Sequence, residues 1–381
     1  MKTQRSQRGM SLIEIMVGVL IGLIGCVVIF QMYSVADARK RTIASGSDMD
    51  ITGRLGLMTL ERDLQLAGYG FGMAASPTAT LGGTALGCNV AAYDSARPTP
   101  DFTFRFSPVV ITDGAAGAPD TIAVLKGSST LVAAPKVIDL GTAIATRVKA
   151  DTGGRTGIRT GDLVLAVYKN LAGTTHDCAL FEITSDTNAD QLTFDHAAGA
   201  RHNKGSGFTL GGEGRLYGLG AAAARSVWSV SNGRLAVAND LFWTDDDGDG
   251  QNDRREVADS IVNLQAQYGV DTTAAAPTPD GIVSGWSNSA PADWSNLLAI
   301  RFALLTRSAQ FERQKVTTAV PRWSASGDGS DPPSEAPFVM TNLDGTADSD
   351  DADSPNNWRY YRYNVFEAVV PLRNTILGRQ L

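Results

Sequence analysis

The sequence predicts an α+β protein in which a long N-terminal transmembrane helix packs on a large antiparallel, β-rich C-terminal domain. Two observations carry this prediction: an uncharged N-terminal segment runs into an apolar stripe with helical spacing, and the rest of the chain alternates polar and apolar residues. The chain has 381 residues and a formal net charge of -7, without a dense basic segment. This composition disfavours direct binding of nucleic acid.

The N-terminal segment is predicted to span a membrane. Met1–Gly9 carries three basic residues and no acid, whereas Ile15–Ala36 contains no charged residue. Twenty-two helical residues rise roughly 33 Å, which is about the hydrocarbon thickness of a bilayer. Because three basic residues, Arg39–Arg41, also follow the span, charge balance does not fix its orientation.

An ordinary secretory signal is the alternative interpretation of this segment, since Ala36-Asp37-Ala38 could serve as its cleavage site. The apolar stretch is long for a removable signal, and Glu14 lies near its start. A carboxylate in hydrocarbon is costly, so a glutamate at this position indicates a function.

The helix is predicted to continue to about Ala67, which gives one helix over residues 10–67 with the membrane span at about 10–36. Four apolar residues lie at i, i+3, i+7 and i+10 and form one stripe for a core; they are Leu57, Leu60, Leu64 and Ala67. Three glycines weaken the helix locally, and three more end it; they are Gly46, Gly53 and Gly56, then Gly68, Gly70 and Gly72.

The head, residues 73–381, is predicted to be rich in strands. Within it, residues 328–357 are dense in Asp, Ser, Pro and Gly and are predicted to form a disordered acidic surface loop. The candidate strands alternate polar and apolar residues; they are Phe102–Ile111, Thr121–Leu125, Asp162–Tyr168, Ala179–Thr184, Gln191–Phe194, Ser226–Val230, Val257–Val270, Leu297–Thr306 and Arg359–Val370.

The segment Gly9-Met10-Ser11-Leu12-Ile13-Glu14 resembles the processing site of type IV pilins and type II secretion pseudopilins. The resemblance implies that residues 1–9 are a leader, which a prepilin peptidase removes after Gly9 before the new N-terminus, Met10, is methylated. It also gives Glu14 a role in assembly. An unpaired carboxylate is unfavourable in the bilayer, and pairing with the amino group of a neighbouring subunit's Met10 would relieve that cost and fix the axial register.

Two C-terminal segments, Ile261–Asp271 and Tyr361–Glu367 with Val370–Asn374 after it, resemble the type IV pilus-assembly protein W (PilW) family. The resemblance implies a minor pilin, which is not an enzyme, with its head in the periplasm and one span in the inner membrane. Such a protein joins other minor and major pilins at the inner-membrane assembly platform and primes pilus assembly, and it then lies in the pilus at the cell surface. Twitching motility, adhesion or DNA uptake would follow. The alternatives are a minor pseudopilin of type II secretion or a membrane-anchored binding ectodomain.

The segment Asp245–Glu256 matches the twelve-residue calcium-loop pattern D-x-[DN]-x-[DN]-G-x5-E in full. Gly250 provides the sharp turn, and hard oxygen ligands favour calcium over zinc. A solvated acidic turn is the alternative. Because Leu241–Trp243 and Val257–Val270 are predicted strands, the loop would join two strands. The predicted ligands are Asp245, Asp247, Asp249, Gln251 through its backbone carbonyl, Asp253 directly or through water, and Glu256 as a bidentate ligand.

The cysteines and histidines point to no catalytic site. Cys88 and Cys178 fall in the predicted secreted head, where a disulfide is expected and two separate thiols are the alternative, whereas Cys26 is an apolar filler of the span. The three histidines, His176, His196 and His202, show no metalloprotease spacing. The triplet His176-Asp177-Cys178 lacks a third group that would orient the base.

Overall fold

The structure is a computed structural model of the chain. The leader and Met10 lie outside the described residues, as do residues 328–334 and 344–354 of the predicted acidic loop. The described residues are 11–76, 84–129, 135–139, 145–151, 157–169, 176–186, 192–208, 213–272, 281–324, 335–343 and 355–380.

Helix α1 (Leu12–Gln65) is 54 residues long and begins with a capping box. Ser11 Oγ accepts a hydrogen bond from the N–H of Ile13, and the Ser11 N–H donates to the Glu14 carboxylate. The helix ends two residues before the predicted position, just ahead of the left-handed residues Gly68 and Gly70. A second helix, α2 (Arg373–Gln380), closes the described chain.

The described residues form nineteen strands in chain order. They are β1 (Asn89–Tyr93), β2 (Asp101–Arg105), β3 (Val109–Thr112), β4 (Thr121–Lys126), β5 (Lys136–Val137), β6 (Arg147–Lys149), β7 (Leu163–Lys169), β8 (His176–Glu182), β9 (Thr193–Asp195), β10 (Gly214–Gly220), β11 (Ala224–Ser231), β12 (Arg234–Asn239), β13 (Arg255–Asp259), β14 (Ile261–Val270), β15 (Gly285–Ser287), β16 (Leu297–Arg307), β17 (Arg322–Ser324), β18 (Glu335–Pro337) and β19 (Tyr363–Pro371).

Three main sheets, almost entirely antiparallel, make up the head. Their strand orders are β2-β1-β8-β7-β10-β5, β13-β12-β11-β4-β3 and β15-β14-β16-β19. The one parallel pair in these three sheets, as described, is β1 with β8. Two small sheets, β17-β18 and β6-β9, complete the described strands. One long N-terminal helix on a large antiparallel β-rich domain confirms the α+β prediction.

Two long predicted strands are each divided because the chain changes sheet within them. The predicted strand Phe102–Ile111 leaves the six-stranded sheet at Phe106 and enters the five-stranded sheet at Val109, and Pro108 between them lacks an N–H for the ladder. The predicted strand Val257–Val270 breaks at Ser260, whose φ is 58°, and passes from the five-stranded to the four-stranded sheet. These two crossings join the three sheets.

Other boundaries differ more locally. Arg359 belongs to a 3₁₀ turn, so the last strand begins only at Tyr363. Leu241–Trp243 forms no strand, because the chain turns away after β12. Within the predicted acidic loop, Glu335–Pro337 forms β18, and Phe338 is buried against Trp323.

The core lies between the second half of α1 and the three main sheets. The predicted helical stripe is buried there: Leu60, Leu64 and Ala67 are fully buried, and Leu57 packs against them. Gly56 lets the helix approach closely, since a Cβ atom there would lie 2.8 Å from Ile261 Cδ1. Two of the three glycines that were predicted to weaken the helix, Gly53 and Gly56, therefore allow it to dock closely on the head.

Candidate functional site

The first half of α1 exposes an apolar surface along its whole length. Large apolar side chains from Leu12 to Val35 are exposed, with Leu12 at 77% and Phe30 at 74%. No residue in the most apolar part of the helix is buried, and the helix is long and apolar enough to cross a membrane. Cys26 lies on this exposed surface as a free thiol. So large an exposed apolar area requires lipid or other apolar helices around it.

Glu14 lies in the first turn of this exposed segment. Its Oε2 accepts a hydrogen bond of 3.2 Å from the N–H of Ser11, as the residue at the third position of a capping box does. Within a single chain the carboxylate thus meets a backbone donor and no cation among the described residues. The predicted processing residues, Gly9 and Met10, lie outside the described residues.

The second half of α1 is held by polar contacts as well as by apolar packing. Asp63 is buried, forms an ion pair with Lys126 and accepts a hydrogen bond of 2.7 Å from Trp228 Nε1. Further toward the N-terminus, Asp50 accepts a hydrogen bond of 2.8 Å from Asn364 Nδ2. Asp63 was not among the predicted site residues, although an acid next to the buried stripe of Leu60 and Leu64 could have indicated a buried partner.

The acidic loop joins the antiparallel neighbours β12 and β13. The carboxylate oxygens of Asp245, Asp247 and Asp253 lie within 4.8 Å of one another. The turn between them depends on glycine, because Gly248 and Gly250 have φ values of 74° and 76°. Three of the predicted ligand residues are therefore brought together by the fold.

Local hydrogen bonds shape this loop. The N–H of Gly250 donates to Asp245 Oδ2 at 3.1 Å, and the N–H of Gln251 donates to Asp249 Oδ1 at 2.7 Å. The N–H of Asp246 donates to Asp253 Oδ2 at 3.0 Å. The second oxygen of Asp245, Oδ1, is buried and accepts no hydrogen bond from the described residues.

Glu256 is not brought to the acidic cluster. It lies in β13, where it is paired with Ala236 of β12, and its carboxylate lies 2.5 Å from Arg234 Nη1 in an exposed ion pair. Because β13 begins at Arg255, strand pairing fixes the backbone of Glu256 outside the loop. Asp249 likewise lies outside the three-carboxylate cluster and binds the backbone of its own turn.

Cys88 and Cys178 form a disulfide with a Cα–Cα distance of 6.1 Å, as expected from the sequence. Cys88 lies just before β1, and Cys178 lies in β8, its parallel neighbour. The bond links segments 90 residues apart in the sequence.

Two of the histidines are buried side chains of the head. The ring of His196 is stacked on Phe181 with 4.3 Å between centroids, and the ring of His202 lies edge-on to Phe242. Burial lowers the pKa of His196 from 6.5 to about 4, and it also lowers the pKa of His202. Both rings are therefore neutral at pH 7, and each contributes to packing. The side chain of His176 lies outside the described residues.

Two protein families match the chain. The prokaryotic N-terminal methylation motif matches residues 4–30, which include Glu14 and most of the exposed apolar segment. The family described as type IV pilus-assembly protein W matches residues 228–374, from β11 to the start of α2. No curated protein and no solved structure matches the chain. The second match contains the four-stranded sheet on which α1 is docked, and also the acidic loop.

Proposed function

We propose that the chain is a minor type IV pilin of the type IV pilus-assembly protein W (PilW) family, which assembles with other minor pilins to prime pilus assembly. The support is the match of residues 228–374 to that family and of residues 4–30 to the N-terminal methylation motif. Proteins of this family are structural components of the pilus. In this proposal the chain first lies in the inner membrane with its head in the periplasm, and it then enters the pilus. Pilus functions such as twitching motility, adhesion or DNA uptake depend on it indirectly.

The single observation that carries the proposal is the division of α1 into two halves. The first half, up to Val35, exposes an uninterrupted apolar surface with one acid, Glu14, at its start. One face of the second half is buried in the head, where Leu60 and Leu64 are inaccessible to solvent. A helix of this kind can pass from lipid into a bundle of like helices without a change in its own fold.

Glu14 supplies the specificity of this transfer. In the isolated chain its carboxylate accepts one N–H, that of Ser11. In the assembly we propose that it pairs with the methylated amino group of a neighbouring subunit's Met10. The pairing would remove the cost of a carboxylate in an apolar environment, and it would be satisfied in only one axial register.

Two substitutions separate this role of Glu14 from its role in the capping box. Glu14→Gln keeps a side-chain oxygen for the Ser11 N–H but removes the charge, whereas Glu14→Leu removes both. If charge pairing drives assembly, both variants reach the membrane at normal levels and both are lost from sheared pili. If Glu14→Gln is incorporated like the unchanged protein, the carboxylate serves only as a helix cap and the proposed mechanism is wrong.

N-terminal sequencing tests the processing step independently. The proposed function requires the mature chain to begin at a methylated Met10. A mature chain beginning at Arg39 would instead indicate cleavage by ordinary signal peptidase and a head without the apolar half of α1, which contradicts the proposal.

We further propose that the acidic loop binds a calcium ion. The support is the close approach of Asp245, Asp247 and Asp253, together with the buried Oδ1 of Asp245, which lacks a donor among the described residues. Three carboxylates this close repel one another unless a cation lies between them. Calcium accepts six to eight oxygen ligands, so the backbone carbonyl of Gln251 and water can complete the shell.

Calorimetry of the purified chain tests this second proposal. Calcium should release or absorb heat in a saturable manner, and Asp247→Asn should abolish the signal. Asp246→Asn is the matched control, since the Asp246 carboxylate lies outside the cluster and its removal should leave binding intact. Glu256→Gln should also have little effect, because Glu256 is paired with Arg234. No heat, or equal heat in the Asp247 and Asp246 variants, would disprove the calcium site.

A further inference from the structure

Exposed cations follow the apolar half of α1 at the point where the helix meets the head. The uncharged run ends at Ala36, and Arg39, Lys40 and Arg41 come next. All three side chains are exposed. Arg41 pairs with Asp37 at 3.0 Å, yet 67% of its side chain remains accessible.

A segment of the head adds two more cations at the same level of the helix. Thr42 Oγ1 of α1 donates a hydrogen bond of 3.2 Å to Glu312 Oε1 of the head. Arg313 and Lys315 follow Glu312 within three residues, and both are exposed. The segment is held in place because the N–H of Glu312 donates to Tyr360 O at 2.9 Å.

These five side chains, Arg39, Lys40, Arg41, Arg313 and Lys315, form a group that we name the basic collar. The two acids within it are already engaged: Asp37 pairs with Arg41, and Glu312 pairs with Arg362. Four collar cations (all but Arg41) form no ion pair with any residue that the structure describes. In a chain with a formal net charge of -7, this is a local excess of positive charge.

The collar lies at the height of lipid headgroups if α1 spans a bilayer. From Asp37 to Thr42 the helix rises roughly 8 Å, which is about one Debye length at physiological ionic strength. Tyr33 lies just inside the end of the uncharged run and is 73% exposed, a position that suits an aromatic ring at the membrane interface. All the collar cations are thus within electrostatic reach of the same headgroup layer.

We propose that the basic collar binds anionic phospholipid headgroups of the bilayer that α1 spans, so that the head rests on the membrane surface before assembly. The inference rests on the membrane-anchored state of the proposed function and adds a ligand class to it. Anionic lipids attract a juxtamembrane cation by an energy that is additive over the group and screened by salt. An acidic head would otherwise be repelled by the same surface, so the collar also sets its orientation.

Lipid co-purification tests the collar. The full chain is inserted into vesicles of phosphatidylcholine mixed with an equal amount of phosphatidylglycerol and extracted in mild detergent, and the retained lipids are counted by native mass spectrometry. We expect enrichment of phosphatidylglycerol that falls roughly fivefold for each collar cation removed and that weakens with salt. The test variants are Arg313→Gln/Lys315→Gln in the head and Arg39→Gln/Lys40→Gln in the helix.

A matched double variant controls for net charge. Arg254→Gln/Arg255→Gln removes two exposed cations outside the collar and should leave the enrichment unchanged. Equal loss in this control and in the collar variants, or no enrichment in the unchanged chain, would overturn the proposal. So would a collar variant that retains full enrichment.

Flotation distinguishes failure of the collar from failure of the membrane span. The unchanged chain should float with vesicles of pure phosphatidylcholine, because insertion of α1 does not need anionic lipid. If it does not float, both the membrane-spanning role of α1 and the lipid-binding role of the collar are disproved. If it floats without enriching phosphatidylglycerol, only the collar is disproved and the proposed pilin function stands.

Discussion

Asp120 links two sheets through a buried carboxylate. Its Oδ1 accepts the N–H of Gly114 at 2.8 Å, and its Oδ2 accepts the N–H of Ala266 in β14 at 2.7 Å. Burial raises the pKa of Asp120 from 3.8 to about 6, against the two backbone donors, which lower it, and the nearby Asp113 raises it further. The folded protein therefore holds a proton at Asp120 at pH values where the unfolded chain has released it.

The pH dependence of stability that comes from Asp120 has the opposite sign to that from the buried His196. Between about pH 4 and 6 the folded state binds more protons at Asp120 than the unfolded state, so this group's contribution to stability is lost as the pH rises. At His196 the folded pKa of about 4 lies below the ordinary 6.5, so the folded state binds fewer protons and its contribution grows as the pH rises. The two contributions oppose each other in one pH window.

We therefore expect single substitutions to reveal slopes that are partly cancelled in the unchanged protein. With Asp120→Asn, the free energy of unfolding should rise with pH between about 4 and 6 more steeply than in the unchanged chain, by roughly 1–3 kcal/mol over the window. With His196→Phe it should fall with pH. Thermal unfolding across this range measures both slopes. Parallel pH profiles for the two variants would contradict these assignments, whatever the mean loss of stability.

At the scale of elements, the head packs against α1 through β14 and β19, the strands that contain the two segments resembling the protein W family. Ile261 of β14 lies against Gly56, and Phe366 of β19 lies against Gly53, where a Cβ atom would overlap its ring. These strands flank β16 in the four-stranded sheet. The sequence motifs that carry no chemistry thus form the surface that holds the helix.

A matched pair of helix substitutions tests this close packing of α1 against the head. Gly56→Leu should destabilise the head by roughly 1–3 kcal/mol, because the new side chain must displace Ile261, Leu235 and Leu304. Gly46→Leu makes the same change in the same helix where nothing lies within 4 Å of the Cβ position, and helix propensity should make it neutral or stabilising. Chemical denaturation of both variants measures the two changes in the free energy of unfolding. An equal effect at the two positions would mean that helix propensity, and not close packing, governs α1.

The sequence predicts these elements unequally, for physical reasons. The helix is predictable because a long uncharged run and the stripe of Leu60 and Leu64 are local signals. The breaks at Pro108 and Ser260 are not, since each occurs where the chain exchanges one sheet for another, and pairing is non-local. The same holds for the acidic loop: the spacing predicts the approach of Asp245 and Asp247, whereas Glu256 is diverted by the strand register that places it beside Arg234.

At the scale of the whole molecule, the head gathers three sheets and the inner half of α1 around one apolar core, so a constraint in one sheet stabilises the whole. The cluster includes Val90 of the six-stranded sheet, Val124 of the five-stranded sheet and Phe302 of the four-stranded sheet. Leu64 of α1 belongs to the same cluster. The disulfide ties β8 to the segment before β1 at the edge of this core, and it closes a loop that contains β1 to β7.

Removal of that bond should therefore weaken the whole head. Because it joins residues 90 positions apart, its loss releases much conformational freedom in the unfolded chain, and Cys88→Ala/Cys178→Ala should lower the free energy of unfolding by about 2–5 kcal/mol. Cys26→Ala is the control, since that exposed thiol lies in the apolar half of α1 and contributes nothing to the core. Denaturant titrations with and without reductant should give matching losses for reduction and for the double variant, and no change for Cys26→Ala. If the reduced head kept its full stability, the apolar core alone would hold the three sheets together. The disulfide would then only link β8 to the segment before β1, without stabilising the whole head.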